Sequence, residues 1–209
     1  ESLAIGASMI NDISGGEIDP EMFETVAKFQ VPYIMMHMQG IPKHMQQKPL
    51  YTNITKEIKS KLAERLQIAY KAGINDIIID PGFGFGKTVI HNFQLLKELR
   101  ALLDLRCPVM IGVSRKSMIY KTLRGSPETA LNGTTALHAW GLERGASILR
   151  VHDVKRPKNV LTYSQHFNSF VNFTKTQHLK LTDFIDFHVK YRFGSKFSIN
   201  FGPRRNIRY

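Results

Sequence analysis

The sequence alternates short apolar segments with stretches of helical periodicity, and this alternation limits the possible folds more than any other feature. The apolar segments lie at residues 8–13, 32–38, 75–80, 108–113 and 147–153. Each is followed by a stretch whose apolar residues recur at the spacing of one helix face, and we expect these helices to start at Asp19, Thr55, Asn92, Ser126 and Pro157. Strands that alternate strictly with helices form parallel sheets through right-handed crossovers. The sequence therefore predicts an α/β fold with five βα units.

Polar side chains end each of the predicted strands. In chain order they are Asn11, His37, Asp80, Lys116 with Ser117, and Arg150 with His152. The carboxyl ends of parallel strands meet at one rim, where (β/α)-barrel enzymes build their active sites. Taken singly, Asn11 and its neighbour Asp12 could cap a turn, and His37 could be structural. Polar residues at every strand end together predict a (β/α)-barrel active site.

The most informative single motif is a glycine-rich loop after an isoleucine run. Ile77-Ile78-Ile79 predicts a strand buried on both faces, followed by Asp80-Pro81-Gly82-Phe83-Gly84-Phe85-Gly86-Lys87-Thr88. The phosphate loop G-x-x-x-x-G-K-[ST] would need glycine at position 81, where the chain has proline. The dinucleotide pattern G-x-G-x-x-G would need its third glycine at position 87, but the chain has glycine at position 86. Because glycines let a ligand approach the main chain closely, the loop favours a flat polar ligand other than a nucleotide. A tight turn with a solvated Asp80 is the alternative.

The composition indicates one soluble globular body. The chain has 209 residues, of which 43% are hydrophobic, and Cys107 is its only cysteine. No apolar run approaches the roughly 20 residues of a membrane span. The formal charge is +12, but residues 167–209 hold eight Lys and Arg against two Asp, so half of the excess lies there. We therefore expect a cytoplasmic protein without a membrane or nucleic-acid partner.

The motifs, taken together, resemble those of the dihydropteroate synthase family. They are Ile10-Asn11-Asp12-Ile13-Ser14-Gly15-Gly16, Met36-His37, the run from Asp80 to Thr88, Gly112-Val113-Ser114-Arg115-Lys116-Ser117 and Arg150-Val151-His152-Asp153-Val154. Their order and spacing fit over residues 1–166, and the motif residues are similar to those of family members from the Bacteroidetes group. The resemblance implies a (β/α)8 TIM barrel that condenses 6-hydroxymethyl-7,8-dihydropterin diphosphate with 4-aminobenzoate. The products would be dihydropteroate, an intermediate of folate biosynthesis, and diphosphate.

The resemblance also implies a role for each matched polar residue. Asn11 and Asp80 would hold the edge of the pterin, since a carboxylate can accept two parallel N–H donors from an aminopyrimidine. Lys116 would hydrogen-bond the pterin ring, and Arg150 would stack on its face. Arg150 and His152 would face the leaving diphosphate. Lys116, Arg150 and His152 are thus the expected catalytic residues.

The second substrate, the cofactor and the assembly are expected on the same basis. Gly84, Phe85 and Ser117 would border the 4-aminobenzoate. In the family the diphosphate is thought to leave before the amine attacks, so the site must stabilise separated charges and needs no activated nucleophile. Mg²⁺ would accompany the diphosphate, with no metal ligand from this chain. A homodimer is expected as well.

The sequence departs from the family at both ends. The first three βα units of the family have no counterpart, so we expect an incomplete barrel of about five C-terminal units. We further expect a C-terminal fragment of a gene product, with impaired activity. Residues 1–166 would form the pterin-binding domain, and residues 167–209 would form a basic, aromatic-rich tail that matches nothing in the family.

Two other functions remain open at this point. The chain could be a non-catalytic pterin-binding remnant, which the missing units make plausible. It could also be a methyltetrahydrofolate-dependent methyltransferase, because those enzymes share an Asn/Asp clamp on the pterin. The signature Ser114-Arg115-Lys116-Ser117 favours the synthase. Interleaved aromatic and basic residues in the tail are also typical of single-stranded nucleic-acid binding. A lineage-specific extension or an out-of-frame ending is the expected interpretation of the tail.

Overall fold

The structure is a computed structural model, which describes residues 2–47, 49–153 and 155–172. The strands are β1 (Ile10–Asp12), β2 (Tyr33–Met36), β3 (Ile77–Asp80), β4 (Met110–Ile111) and β5 (Ile148–Leu149). The helices are α1 (Met22–Phe29), α2 (Ile54–Lys71), α3 (Val89–Lys97), α4 (Ser117–Tyr120), α5 (Leu131–Glu143) and α6 (Lys155–Asn172), with a 3₁₀-helix at Leu99–Leu105. The predicted alternation of strands and helices is confirmed.

The strands are parallel and follow one another in sequence order. The first sheet has the order β1-β2-β3, with Ile34 paired to Asn11 on one side and to Ile78 on the other. The second sheet joins β4 to β5. A parallel bridge between Ile79 and Val109 connects the two sheets, and the Ile79 N–H donates to the Pro108 carbonyl at 2.9 Å. The result is an α/β arrangement with a partial sheet, as predicted for an incomplete barrel.

Both faces of the sheet are buried, as the continuous isoleucine run predicts. On one face, residues such as Tyr33, Ile77 and Ile79 pack against the helices. On the other face lies a small cluster that we call the apolar floor: Met9, Ile34, Ile78 and Met110, with Ile148 packed against it. Because side chains alternate along a strand, residues two positions beyond the floor share its face. Three of these residues are Asn11, Asp80 and Arg150.

Local hydrogen bonds set the ends of the helices. In α2, the Asn53 side chain caps the first turn by accepting from the Lys56 N–H at 3.0 Å. In α3, Thr88 accepts from the His91 N–H at 3.1 Å, and His91 Nδ1 accepts in return from the Thr88 N–H. This reciprocal cap starts the helix at Val89, three residues before the predicted start at Asn92.

Two helices begin later than predicted. Asp19 was expected to cap α1, but its carboxylate accepts from the Glu21 N–H at 3.0 Å within a short turn, and the helix begins at Met22. Ser126 was expected to start α5. Instead, the Thr129 hydroxyl accepts from the Ser126 N–H at 3.0 Å, and that turn delays the helix to Leu131. In both cases a side chain satisfies a local turn in place of the helix end.

The last described element is α6, which continues beyond the predicted domain boundary at residue 166 to Asn172. The remainder of the predicted 167–209 tail, residues 173–209, lies outside the described residues. Among the described residues, no helix combines the length and the apolar character that a membrane crossing requires.

Candidate active site

Three of the predicted site residues meet at the carboxyl edge of the sheet. Arg150 donates from Nη1 to Asn11 Oδ1 at 3.1 Å. Its other terminal nitrogen, Nη2, lies 3.0 Å from Asp80 Oδ2. Arg150 follows β5, Asn11 belongs to β1 and Asp80 ends β3. All three side chains point to the face that carries the apolar floor. The alternation of the strands therefore brings together side chains that are far apart in sequence.

Asp80 is the most deeply buried charged group of this cluster, with 0% of its surface exposed. Its Oδ1 accepts from the Gly82 N–H at 2.8 Å. Its Oδ2 contacts the Arg150 guanidinium without the geometry of a hydrogen bond, and no other described residue donates to it. A buried carboxylate oxygen is a strong acceptor, and leaving one without a donor costs free energy. Asp80 is therefore suited to accept an N–H group from a ligand.

Gly112 allows Arg150 to take this position. A Cβ atom at residue 112 would lie 2.6 Å from Arg150 Nη2 and 3.0 Å from Nε. Those distances are too short for any side chain, so the guanidinium lies directly against the backbone after β4. Only glycine at residue 112 is compatible with this placement of Arg150.

Lys116 caps the cluster from the loop before α4. Its ammonium group donates to the Phe83 carbonyl and lies 4.7 Å from the centre of the Phe85 ring. Burial lowers the pKa of Lys116 to about 7, an effect that Arg150 strengthens and Asp80 opposes. Lys116 is thus a desolvated cation between Arg150 and the glycine-rich loop.

The residues predicted for the second substrate adjoin Lys116. A Cβ atom at Gly84 would lie 3.1 Å from Lys116 Cδ, so the loop packs closely on the lysine stem. Phe85 lies beneath the ammonium group, and Ser117 is the first residue of α4. All three are partly exposed. We call Gly84 and Phe85 the loop wall.

Among the described contacts, the side chains of His152 and His37 make no hydrogen bond to Asn11, Asp80 or Arg150. The His152 backbone N–H donates to Ser114 Oγ at 3.3 Å, while the side chain is exposed. Partial desolvation by neighbouring groups, together with the nearby charge of Arg115, lowers the pKa of His152. His37 is 9% exposed and its Nδ1 lies 3.3 Å from Lys87 Nζ. Burial and the Lys87 charge lower the pKa of His37 to about 3, so the ring is neutral near pH 7.

An ion pair supports the loops around His152. Arg115 donates from Nε to Asp153 Oδ2 and from Nη2 to Asp153 Oδ1, both at 2.9 Å. This paired geometry is the strong form of a guanidinium–carboxylate contact. Arg115 has a φ of 54°, in the left-handed region, and its backbone N–H donates to Thr134 Oγ1 at 3.1 Å. The pair joins the loop that carries Lys116 to the strand end that carries Arg150.

Asp12 has a structural role, although it neighbours Asn11. It points to the opposite face, where its carboxylate accepts four hydrogen bonds of 2.6–2.8 Å from the Ser14 N–H, the Ser14 hydroxyl, the Gly16 N–H and the Tyr33 hydroxyl. Burial and the bond to Asp12 raise the pKa of Tyr33. Asp12 therefore fixes the turn after β1, the alternative considered for it from the sequence.

The loop after β2 packs over the glycine-rich loop. The Gln46 side chain donates to the Gly84 carbonyl, and the Tyr51 hydroxyl donates to the Gly86 carbonyl at 3.1 Å. The Gln39 side chain and the backbone of Leu50 hydrogen-bond each other, which closes the base of this loop. The loop thus covers one side of the site.

Sequence reasoning did not identify two buried residues that hold the loop wall. Asn92 Oδ1 accepts from the Gly84 N–H at 2.7 Å, and Lys87 Nζ donates to the Phe85 carbonyl at 2.9 Å. Asn92 is 1% exposed and Lys87 is 4% exposed. Their sequence signal is weak, because a lysine after a glycine-rich loop and an asparagine in a helix are usually solvated.

The charges of the site favour an anionic ligand. Asp80 pairs with Arg150, and Lys116, with a pKa of about 7, adds a partial positive charge near pH 7, so the cluster carries a small positive excess. Within the described residues, no group of three or more His, Cys, Asp or Glu side chains is arranged to hold a metal ion. The described site therefore combines one buried acceptor, an excess of positive charge and a glycine-rich wall.

Comparisons with known proteins agree with this geometry. Residues 1–152 match the family model described as pterin binding enzyme. The dihydropteroate synthase of Escherichia coli strain K12 is 40% identical over 157 residues, which are 74% of this chain and 55% of that protein. The chain thus spans about half the length of this curated relative.

Solved structures of the same kind of enzyme superimpose on the chain. One is the dihydropteroate synthase of Yersinia pestis in complex with a sulfonamide drug, with a TM-score of 0.77 and 37% identity over 80% of this chain and 62% of that one. Another is the enzyme of Xanthomonas albilineans in complex with 7,8-dihydropteroate, with a TM-score of 0.73 and 39% identity over 80% and 62% of the two chains. The family match and these identities show that the chain belongs to the pterin binding enzyme family.

Proposed function

We propose that the chain carries the pterin site and part of the aminobenzoate site of a dihydropteroate synthase. The reaction would join 6-hydroxymethyl-7,8-dihydropterin diphosphate to 4-aminobenzoate and release diphosphate. The observation that carries the proposal is the contact of Asn11, Asp80 and Arg150 at one edge of the sheet, with one buried oxygen of Asp80 open to a donor. The relatives at about 40% identity carry the same activity in their names.

The pterin would be held by its polar edge. Asp80 Oδ2 would accept an N–H of the aminopyrimidine, and Asn11 can both donate and accept beside it. Arg150 lies between these two groups and would turn its planar guanidinium to the ring face. Lys116 would donate to the ring carbonyl, at the cost of its present bond to Phe83.

Arg150 and His152 would stabilise the departing diphosphate. In the proposed order of events, the bond between the pterin methylene carbon and the diphosphate oxygen breaks first, and the electron pair leaves with the diphosphate. Arg150 and His152 would face that growing negative charge. The amine of 4-aminobenzoate would then attack the methylene carbon and lose a proton. The fixed charge of Arg150 lowers the barrier of the first step, and His152, whose lowered pKa favours the neutral ring, would contribute a hydrogen bond.

The second substrate would lie against the loop wall. Gly84 offers no side chain, so an aromatic ring can approach the backbone there, and Phe85 offers an apolar edge. Ser117 at the start of α4 would lie near the carboxylate of 4-aminobenzoate. Each of these three residues adjoins Lys116 in space or in sequence.

The magnesium ion of the proposed reaction would be held by the substrate. The groups assigned to the diphosphate are a guanidinium and an imidazole, and the only carboxylate of the cluster, Asp80, is already in contact with Arg150. Hard cations prefer several oxygen ligands, which these residues do not offer. We therefore assign no step to protein-bound Mg²⁺.

The proposal also includes a homodimer as the assembly. The proposed location is the cytoplasm, in keeping with a single cysteine.

A titration distinguishes the synthase from pterin binding without turnover. The purified chain is mixed with the pterin diphosphate, with and without 4-aminobenzoate, and both dihydropteroate and bound pterin are measured. Formation of dihydropteroate supports the synthase. Pterin binding without product would support the non-catalytic alternative, and a failure to bind pterin would contradict both.

A further inference from the structure

Lys87 is a buried cation that the proposed mechanism does not use. It follows the glycine-rich loop directly, yet only 4% of its surface is exposed. Its Nζ donates to the Phe85 carbonyl at 2.9 Å and lies 3.3 Å from His37 Nδ1. The amine thus joins the loop wall to the end of the neighbouring strand β2.

The burial of this amine is costly. Among the described residues, no carboxylate lies within ion-pair distance of Lys87. Desolvation lowers the pKa of Lys87 to about 7, while the more distant Asp80 acts in the opposite sense and Lys116 reinforces the shift. Burial of such a group is usually offset by hydrogen bonds to neighbouring groups. For Lys87 these neighbours are the Phe85 carbonyl and the His37 ring.

Lys87 and Asn92 hold successive residues of the loop from two directions. Asn92 accepts from the Gly84 N–H at 2.7 Å and donates to the Thr88 carbonyl at 2.6 Å, which ties Gly84 to the start of α3. Lys87 ties the carbonyl of Phe85 to β2. Both braces are hydrogen bonds from buried side chains to the loop backbone, so their loss frees the loop without removing a residue that faces the ligand.

We propose that Lys87 is a positioning residue that fixes the loop wall at Gly84 and Phe85. The identity of the ligand rests on the proposed function, whereas the effect of Lys87 on the position of the loop wall does not. When Lys87 holds the Phe85 carbonyl, the Phe85 ring stays under Lys116, and the backbone of Gly84 stays open to an aromatic ligand. Lys87 therefore controls the shape of the aminobenzoate side and leaves the pterin side to Asp80 and Asn11.

The first test needs no ligand. Lys87→Met keeps most of the length of the side chain and removes the donor, while Lys87→Gln retains a donor on a shorter stem. Hydrogen exchange of single amides is followed by NMR. We expect the Gly84 and Phe85 amides to exchange about tenfold faster in Lys87→Met, with Ile79 in β3 unchanged. Lys97→Met, at an exposed lysine of α3, is the matched control. Unchanged exchange at both Gly84 and Phe85 would overturn the proposal.

The second test separates positioning from a general loss of stability. Affinities for 6-hydroxymethylpterin and, with that pterin present, for 4-aminobenzoate are measured by calorimetry. In Lys87→Met we expect the affinity for 4-aminobenzoate to fall about tenfold and that for the pterin to stay within about twofold. Lys87→Gln should recover part of the loss. Equal weakening of both ligands would contradict the positioning role.

The two tests also separate this inference from the proposed function. If the unaltered chain binds neither ligand, the proposed function is wrong, and the amide exchange of the loop wall alone decides the role of Lys87. If the unaltered chain binds both ligands and Lys87→Met changes neither affinity, the proposed function stands and the role of Lys87 is refuted.

Discussion

Arg150 donates a hydrogen bond to the side chain of Asn11, which lies 139 residues earlier in the chain. The bond joins the first and last described strands across the edge of the sheet. The same guanidinium contacts Asp80 at 3.0 Å. One cation therefore sets the spacing between the two groups proposed to hold the pterin, and its own position depends on the absence of a side chain at Gly112.

Gly112→Ala should displace Arg150 while preserving the fold. The added Cβ would lie 2.6 Å from Arg150 Nη2, so the guanidinium must move away from Asn11 and Asp80. We expect the affinity for inorganic diphosphate, measured by calorimetry, to fall about tenfold or more. Gly125→Ala is the matched control, since its Cβ would crowd only the Thr129 side chain, in an exposed turn away from Arg150. Equal diphosphate affinity in Gly112→Ala and the unaltered chain would contradict the dependence on Gly112.

Asp80→Asn should abolish most of the pterin affinity. The amide keeps the size of the carboxylate but lacks its charge, and a donor replaces one of the acceptor oxygens. We expect 6-hydroxymethylpterin to bind about 30-fold more weakly, equivalent to about 2 kcal/mol. Asp76→Asn, at an exposed position just before β3, serves as the control in the same titration. Pterin affinity that survives in Asp80→Asn would remove Asp80 from its assigned role.

Folding stability should rise with pH between about 7 and 10.5, in part because of Lys87. Its pKa is about 7 in the folded chain, against the ordinary value of 10.5 that applies after unfolding. Between these values the unfolded chain binds more protons, so the free energy of unfolding increases with pH, by up to about 1.4 kcal/mol per pH unit from one group. Urea unfolding at several pH values measures the slope. Lys87→Met should make the slope shallower, and the pKa of Lys116, also lowered to about 7, should maintain the remainder. Lys97→Met is the control.

Asp12→Asn should destabilise the fold more than it affects the ligands. The carboxylate accepts four hydrogen bonds, and an amide cannot accept all of them. We expect the free energy of unfolding in urea to fall by about 2–3 kcal/mol. Tyr33→Phe removes one of these bonds and should cost about 1 kcal/mol. A larger loss in Tyr33→Phe than in Asp12→Asn would show that the Tyr33 hydroxyl, and not the carboxylate, organises the turn.

The fold was predictable from the sequence because its signal is repetitive. Each apolar segment needed only to be recognised as a strand, and the alternation with helices then required a parallel arrangement. The starts of α1 and α5 were predicted too early, since Asp19 and Ser126 have the right chemistry for a helix cap but satisfy a local turn. Whether such a side chain bonds to a helix end or to a local turn depends on the backbone geometry of a few residues, and composition does not reveal that geometry.

The site was predictable where the period of the strand decides it. Asn11, Asp80 and Arg150 converge because each lies two residues beyond a member of the apolar floor. Lys87 and Asn92 were not predictable, because their burial follows from contacts with His37 and Gly84 across the loop. Nothing in their neighbouring residues distinguishes them from solvated side chains. The binding roles assigned by resemblance remain predictions.

The apolar floor beneath Asp80 has a consequence for measurements in salt. Its members are buried hydrocarbon and thioether groups, so neither water nor mobile ions approach the carboxylate from below. Dissolved ions screen charges through the solvent and act weakly on groups enclosed by a medium of low permittivity. The attraction between Asp80 and a cationic or N–H-bearing ligand should therefore persist at ionic strengths that weaken the exposed pair of Lys61 and Glu17.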